Sequence, residues 1–120
     1  MKKKSENPVL KETIEALKKV AEGRNEAFWS SVLEKLSSPR SRMSVVNVGK
    51  ISRLTKENDL VLVPGKLLGG GLIDHPVKVG ALSASRSAVE KITAAGGSVM
   101  SLTDLAKQNP RGSGIIVMGG

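Results

Sequence analysis

The chain has 120 residues, a length that suits one domain, and 39% of them are hydrophobic, which is enough for one compact core. Cysteine is absent, which excludes disulfides, thiol catalysis and cysteine-ligated zinc, and no apolar run is long enough to span a membrane. The 19 Lys and Arg residues exceed the 11 Asp and Glu residues, and the net charge of +8 favours a polyanionic partner, either nucleic acid or an anionic membrane surface.

The N-terminus is basic and polar. Lys2, Lys3 and Lys4 are not followed by the apolar stretch that a secretory signal requires, so we expect a cytoplasmic protein. A cationic segment of this kind can become ordered in an RNA groove on binding. We therefore divide the chain into a basic flexible tail, residues 1–6, and a single domain, residues 7–120.

Two amphipathic helices are predicted in the first third of the chain. The first begins at Asn7-Pro8, where asparagine can cap a helix and proline suits its first turn, and Gly23 can end it. The second runs from its cap Asn25 to a stop at Ser37-Ser38-Pro39. Because only a short turn separates them, we predict a helical hairpin.

Apolar residues recur along both predicted helices with helical spacing. The first helix has one apolar face, formed by Leu10, Ile14, Leu17 and Ala21. The second has a stripe of Phe28, Val32 and Leu36, with Trp29 and Leu33 beside it. These residues are the expected contribution of the hairpin to the hydrophobic core.

The rest of the chain is richer in glycine and in short runs typical of strands. Strands are predicted at 45–48, 60–63, 77–79 and 115–118. Pro64-Gly65 and the glycines 69–71 are turn signals between the second and third of these strands.

Two further helices are predicted, at 85–95 and from the capping-box-like segment 101–104 to Pro110. The segments 81–83 and 99–101 each look like a strand that leads through a serine into a helix. Short strands alternating with helices indicate an α/β fold with some parallel pairing. We predict an N-terminal helical hairpin followed by an irregular layered array of short strands and helices.

Residues that could support catalysis are few. His75 is the only histidine, and only Asp74 lies near it in sequence, whereas a common metal site needs three or four ligands. We expect His75 to lie in a surface loop. The serines near the predicted helix start at 85 are explained by capping, without a nucleophilic role. We therefore expect no enzyme activity, no metal and no other cofactor.

The glycine-rich segment 64–71 contains Gly65-Lys66, which invites comparison with a phosphate-binding loop. Such a loop needs a serine or threonine after the lysine, because the hydroxyl binds the metal ion, and Leu67 stands there instead. A glycine-rich turn between strands is the favoured interpretation. Lys66 can still contact a phosphate as a point charge.

The basic residues are unevenly distributed. Residues 37–56 carry five basic residues and no acid, while Arg24 precedes them. The first helix instead mixes lysine and glutamate as an ordinary solvated face does. We interpret the acid-free stretch as a contact surface, with these members: Arg40, Arg42, Lys50, Arg53 and Lys56.

Aromatic residues are scarce, which limits the way in which nucleic acid can be bound. Phe28 and Trp29 are the only two, and both belong to the predicted apolar stripe, so exposed platforms for base stacking are lacking. Binding should rely on Arg and Lys against phosphates and on the shape of a folded RNA. A membrane surface is less suitable, because Glu26 and Glu34 weaken the positive face of the second helix.

Six segments of the chain occur in the order in which a known family has them. They are NP at 7–8, SPR at 38–40, VNVGKI at 46–51, VPGKLLG at 63–69, VKVGALS at 77–83 and NPRGSG at 109–114. On these segments the sequence closely resembles the archaeal and eukaryotic large-subunit ribosomal protein family known as eighteen-e. That family is related to bacterial large-subunit ribosomal protein fifteen.

The resemblance implies a structural constituent of the large ribosomal subunit that binds ribosomal RNA and neighbouring proteins and supports translation without catalysis. The short chain looks archaeal. Three residues depart from the family pattern: Gly49 replaces a serine or alanine, His75 a basic residue and Ala84 an aromatic. The basic positions that match the family are Arg40, Lys50, Lys66 and Arg111.

The candidate RNA-binding residues combine the uneven charge with the resemblance. They are Lys2, Lys3, Lys4, Arg24, Arg40, Arg42, Lys50, Arg53, Lys56, Lys66 and Arg111. The alternative is a free-standing RNA-binding or RNA-chaperone protein that uses the same fold away from the ribosome.

Overall fold

The computed structural model describes residues 8–21, 26–37, 45–109, 112 and 114–118. In chain order the elements are α1 (Pro8–Ala21), α2 (Glu26–Ser37), β1 (Val45–Asn47), α3 (Val48–Leu54), β2 (Asp59–Leu68), β3 (Val77–Ala84), α4 (Arg86–Ala94), β4 (Ser98–Ser101), α5 (Leu102–Gln108) and β5 (Ile115–Val117). The five strands form one sheet in which β1 and β5 both pair with β2, and β3 lies between β2 and β4. Every pairing is parallel, so the predicted α/β class is confirmed and the parallel pairing is more extensive than predicted.

Helices cover both faces of the sheet. Ile51 of α3 and Ile92 of α4 belong to one buried cluster together with Val61 of β2. Leu62, the next residue of β2, belongs instead to a second cluster, which contains buried residues of α1, α2 and α5, such as Leu105. Because successive side chains of a strand point to opposite faces, this alternation defines three layers with the sheet in the middle. None of the helices among the described residues has the length and apolar character needed to cross a membrane.

The helical hairpin is confirmed. α1 begins at Pro8, as predicted, and α2 ends at Ser37, while the predicted caps Asn7, Gly23 and Asn25 lie outside the described residues. The apolar stripe of α2 is centred differently from the prediction. Its fully or almost fully buried members are Trp29, Val32 and Leu36, whereas Phe28 and Leu33 are half-buried.

The prediction of a turn at Pro64-Gly65 is wrong. β2 continues through both residues to Leu68, and the register against β3 shifts between Val63 and Lys66. A proline cannot donate to the hydrogen-bond ladder, and such an irregularity accommodates it within a strand. β3 joins the strand segments predicted at 77–79 and 81–83 into one strand that runs to Ala84.

α3 was not predicted. Val48, expected at the end of a strand, is instead the first residue of α3. Met118, also expected at the end of a strand, lies just after β5. The two later helices are confirmed within one or two residues at each end. Ser85 and Ser101 cap them by accepting hydrogen bonds from the backbone N–H of Ala88 at 3.2 Å and of Asp104 at 3.0 Å. Pro110 lies outside the described residues.

Candidate nucleic-acid interface

The ends of β1, β2 and β3 lie at the same edge of the sheet because the three strands are parallel. α3 follows β1 directly, and α4 follows β3 after Ser85, so both helices begin at this edge. The backbone N–H of Ser85 donates to the carbonyl of Leu67 at 2.9 Å and joins the start of α4 to the end of β2. We call this region, formed by the last residues of β1, β2 and β3 and the first residues of α3 and α4, the carboxyl edge.

The connection from β2 to β3, residues 69–76, is here called the crossover strap. Asp59 at the start of β2 pairs with Val77 at the start of β3, so the strap returns along the whole length of β2. That strand has 10 residues, or roughly 30 Å at about 3.3 Å per residue. The eight residues of the strap span such a distance only when nearly fully extended. The strap is therefore too short to contain the helix that usually connects two parallel strands.

Gly70 and Gly71 of the strap lie against the start of α3, while Gly69 lies against Ser87 and Ala88 of α4. The N–H of Gly49 donates to the carbonyl of Gly70 at 2.8 Å, and the N–H of Gly70 donates to Asn47 Oδ1 at 2.9 Å. Gly71 has a φ of +88°, and a Cβ at this position would lie 2.7 Å from the Gly49 Cα. The backbones of α3 and the strap therefore meet directly. This close approach explains why a glycine suits position 49 in this chain.

Lys91 of α4 binds the same glycines from the other side. Its Nζ donates to the carbonyl of Gly69 at 2.6 Å and to that of Gly71 at 2.7 Å. The side chain is half-buried, and its charge is directed at backbone carbonyls. Lys91 was not predicted as a site residue, because nothing in its local sequence distinguishes it from an ordinary helix-surface lysine.

Two predicted residues, Lys50 and Lys66, lie at the carboxyl edge. Lys66 is exposed near the end of β2, in register with the exposed residues Val45 and Ser83. Lys50 is half-buried in the first turn of α3 and follows the Gly49 contact with the strap. Two segments distant in sequence thus bring predicted basic residues to one region.

Arg86 lies at the same edge and was missed by the sequence analysis. It is the exposed first residue of α4, directly after the Ser85 contact with β2. The signal that could have found it is the repeated strand–serine–helix pattern, since parallel strands place all such helix starts at one edge. Three cationic residues, on α3, β2 and α4, therefore lie at the carboxyl edge, where the strap begins.

Arg53 and Lys56 are exposed but lie away from the carboxyl edge. α3 has seven residues and is about 10 Å long, with Arg53 in its last turn and Lys56 just beyond it. Lys56 is in a turn in which its N–H donates to Asp59 Oδ2 at 2.8 Å. The described part of the acid-free stretch therefore places Lys50, Arg53 and Lys56 along α3 and just beyond its end. The exposed Glu57 follows them directly.

These cations are available to a ligand. The side chains of Lys50, Arg53, Lys56, Lys66 and Arg86 form no hydrogen bond or ion pair with any other residue that the structure describes. The remaining predicted residues lie outside the described residues: Lys2, Lys3, Lys4, Arg24, Arg40, Arg42 and Arg111.

His75 lies in the strap, so its prediction as a loop residue is confirmed, but its side chain is largely buried. It is 13% exposed, against 92% for Asp74. Its Nδ1 is 3.0 Å from Asp74 Oδ1, and its Nε2 is 2.8 Å from the hydroxyl of Thr55, which donates to the carbonyl of Ile51 at 2.6 Å. His75 therefore attaches the end of the strap to the end of α3. No group of three or more potential metal ligands occurs within the described part of the chain.

Comparison with known proteins agrees with the resemblance seen in the sequence. The family described as "Ribosomal protein 60S L18 and 50S L18e" matches residues 1–120. The large ribosomal subunit protein eL18 of Archaeoglobus fulgidus is 45% identical over 112 residues, which cover 93% of this chain and 96% of that protein. The eL18 proteins of Sulfolobus acidocaldarius and Methanopyrus kandleri are 47% and 43% identical. The match to the first covers 85% of this chain and 83% of that protein, and the match to the second covers 93% of this chain and 92% of that protein.

Proposed function

This chain belongs to the family of ribosomal protein 60S L18 and 50S L18e, and we propose that it is a structural constituent of the large ribosomal subunit that binds ribosomal RNA. The shared name of its archaeal relatives, large ribosomal subunit protein eL18, supports the first part. The second part is supported above all by the positions of Lys50, Lys66 and Arg86, which all lie at the carboxyl edge. Their side chains have no partner among the described residues.

The proposed contacts are made to phosphates. Trp29 is fully buried and Phe28 is half-buried against it, with ring centroids 4.9 Å apart, so neither offers an open platform for base stacking. Lysine and arginine side chains contact phosphates without reading the bases, and specificity then depends on the shape of the RNA. Arg86 adds a planar guanidinium that can bind two phosphate oxygens together.

The interface has two parts in this proposal. The carboxyl edge supplies Lys50, Lys66 and Arg86, and the outer surface of α3 continues it with Arg53 and Lys56. Further RNA contacts are proposed for Lys2, Lys3, Lys4, Arg24, Arg40, Arg42 and Arg111. We also propose that residues 1–6 act as a flexible tail on the single domain 7–120, and that neighbouring large-subunit proteins contact this chain.

A role without catalysis is part of the proposal. Both ring nitrogens of His75 have partners in Asp74 and Thr55, and this network connects the strap to α3. The Thr55 hydroxyl donates its hydrogen to the Ile51 carbonyl and not to His75, so the imidazole is not placed to deprotonate it. The single histidine is therefore accounted for by a structural task. Lys66, the lysine of the glycine-rich segment, is exposed at the edge where phosphates are expected.

Sedimentation of native cell extract tests this function. We expect the protein to sediment with the large subunit and to remain there after a wash at moderate salt. A protein found only in the light fractions would contradict a structural ribosomal role and favour the free-standing RNA-binding alternative. Crosslinking on the intact subunit would then identify which of the proposed residues reach RNA.

A further inference from the structure

The geometry assigns to Lys91 a role as a positioning residue for RNA binding: it holds the glycines of the crossover strap and does not itself contact phosphate. This inference rests on the proposed function of the carboxyl edge. It starts from the two short hydrogen bonds that Lys91 Nζ donates to the carbonyls of Gly69 and Gly71, at 2.6 and 2.7 Å.

These bonds satisfy carbonyls that the sheet leaves unpaired. The strap follows the last residue of β2, Leu68, and neither glycine carbonyl accepts a hydrogen bond from the described backbone. An ammonium group has three donors, and two of those of Lys91 are committed here. Bonds from a charged donor are stronger than those between neutral groups, so this contact suits a segment without ladder partners.

The glycines are held from two sides. On one side Gly70 is bound by Asn47 Oδ1, at the end of β1, and by the Gly49 N–H of α3. On the other side α4 binds Gly69 and Gly71 through Lys91. Three consecutive glycines have no Cβ and large conformational freedom, so their position depends on these bonds. Lys91 is the member of this set that connects α4 to the strap.

The position of the strap affects the proposed phosphate-binding residues directly. Gly69 follows Lys66 by three residues, and the Gly70 contact lies next to Lys50. Lys91 also places a positive charge against two carbonyl oxygens, whose partial negative charge would otherwise make the surroundings less favourable to an anion. Its loss should therefore misplace Lys50 and Lys66 and make the edge less favourable to an anion.

The test compares Lys91→Met, which keeps an unbranched apolar stem but removes the donors, with Lys91→Arg, which retains them. Lys107→Met is the matched control, because it removes one exposed lysine charge from the last turn of α5 in the other helix layer. Binding to protein-free large-subunit ribosomal RNA gives the affinity. Amide hydrogen exchange at Gly49 and Gly70 reports on the strap, and exchange in β3 checks that the fold is intact.

We expect Lys91→Met to speed exchange at Gly49 and Gly70 while leaving β3 protected. RNA affinity should fall roughly tenfold, as for the loss of one well-placed polar contact, and more than in Lys107→Met. Lys91→Arg should restore both readouts toward the unaltered protein. A loss of affinity in Lys91→Met with unchanged exchange would overturn the inference, because Lys91 would then contact RNA itself. An affinity equal to that of Lys107→Met would also overturn it. Failure of the unaltered protein to bind this RNA would instead contradict the proposed function, and the inference with it.

Discussion

The backbones of Gly49 and Gly71 are in direct contact: a Cβ on Gly71 would lie 2.7 Å from the Gly49 Cα, and a Cβ on Gly49 would lie 3.2 Å from the Gly71 Cα. This contact joins the first turn of α3 to the crossover strap. It lies beside Lys50, so the same few residues determine the local packing and the position of a proposed phosphate contact.

Gly71→Ala should therefore destabilise the protein, by about 1–3 kcal/mol, because the new Cβ meets backbone atoms and the φ of +88° disfavours alanine. Gly114→Ala is the control, since Gly114 also has a positive φ, +75°, but nothing lies within 4 Å of its Cβ position. Chemical denaturation of both variants measures the difference. Equal losses would mean that the Gly49 contact can relax without cost.

The other end of the strap depends on the hydroxyl of Thr55. This hydroxyl donates to the carbonyl of Ile51 at 2.6 Å and lies 2.8 Å from His75 Nε2. Thr55→Val keeps the shape but removes both bonds, and we expect a loss of about 1–2 kcal/mol in the free energy of unfolding. Thr55→Ser retains the hydroxyl and should lose less. If the valine and serine variants had the same free energy of unfolding, the hydrogen bonds of Thr55 would make no net contribution to stability.

Local signals in the sequence predicted the parts of the fold that depend on local contacts. Ser85 and Ser101 cap helices in the structure because the serine oxygen bonds an N–H only three residues away. The continuation of β2 through Pro64-Gly65 could not be predicted, because the irregularity that accommodates the proline arises from the pairing of β2 with β3. α3 was missed because it is short and carries Gly49, whose place is set by the strap.

The candidate site was predictable only where local sequence signals identify its residues. Lys50 and Lys66 stand in segments that basic composition and family resemblance single out. Arg86 joins them only through the parallel order of β2 and β3 and the Ser85 bond to Leu67. The role of Lys91 depends on two carbonyls 20 and 22 residues away, a separation that no local pattern reveals.

The centre of the hairpin core gives a test of packing. Trp29 is 0% exposed, and Trp29→Ala should destabilise the protein by about 3–5 kcal/mol through the lost burial and the cavity left behind. Phe28→Ala is the comparison, because Phe28 is only half-buried and should cost less. Thermal unfolding followed by circular dichroism measures both. A larger loss for Phe28→Ala would mean that Phe28, and not Trp29, lies at the centre of the packed stripe.

The proposed carboxyl-edge contacts predict a specific change in salt dependence. Each phosphate contact contributes about 0.7–0.9 to the slope of log affinity against log salt, so replacing Lys50, Lys66 and Arg86 together by glutamine should lower that slope by roughly 2–3. The matched control removes the same number of charges from the opposite helix layer: Lys18, Lys19 and Lys107, all exposed.

Binding of both triple variants to protein-free large-subunit ribosomal RNA, measured across a salt series, separates local contact from overall charge. If the carboxyl edge is the interface, the first variant loses both affinity and slope, while the control keeps a slope close to that of the unaltered protein. Equal losses in the two variants would mean that net charge, and not this edge, determines the affinity. Because all six side chains are partly or fully exposed and lack partners among the described residues, neither variant should lose stability, and unchanged circular dichroism would verify this.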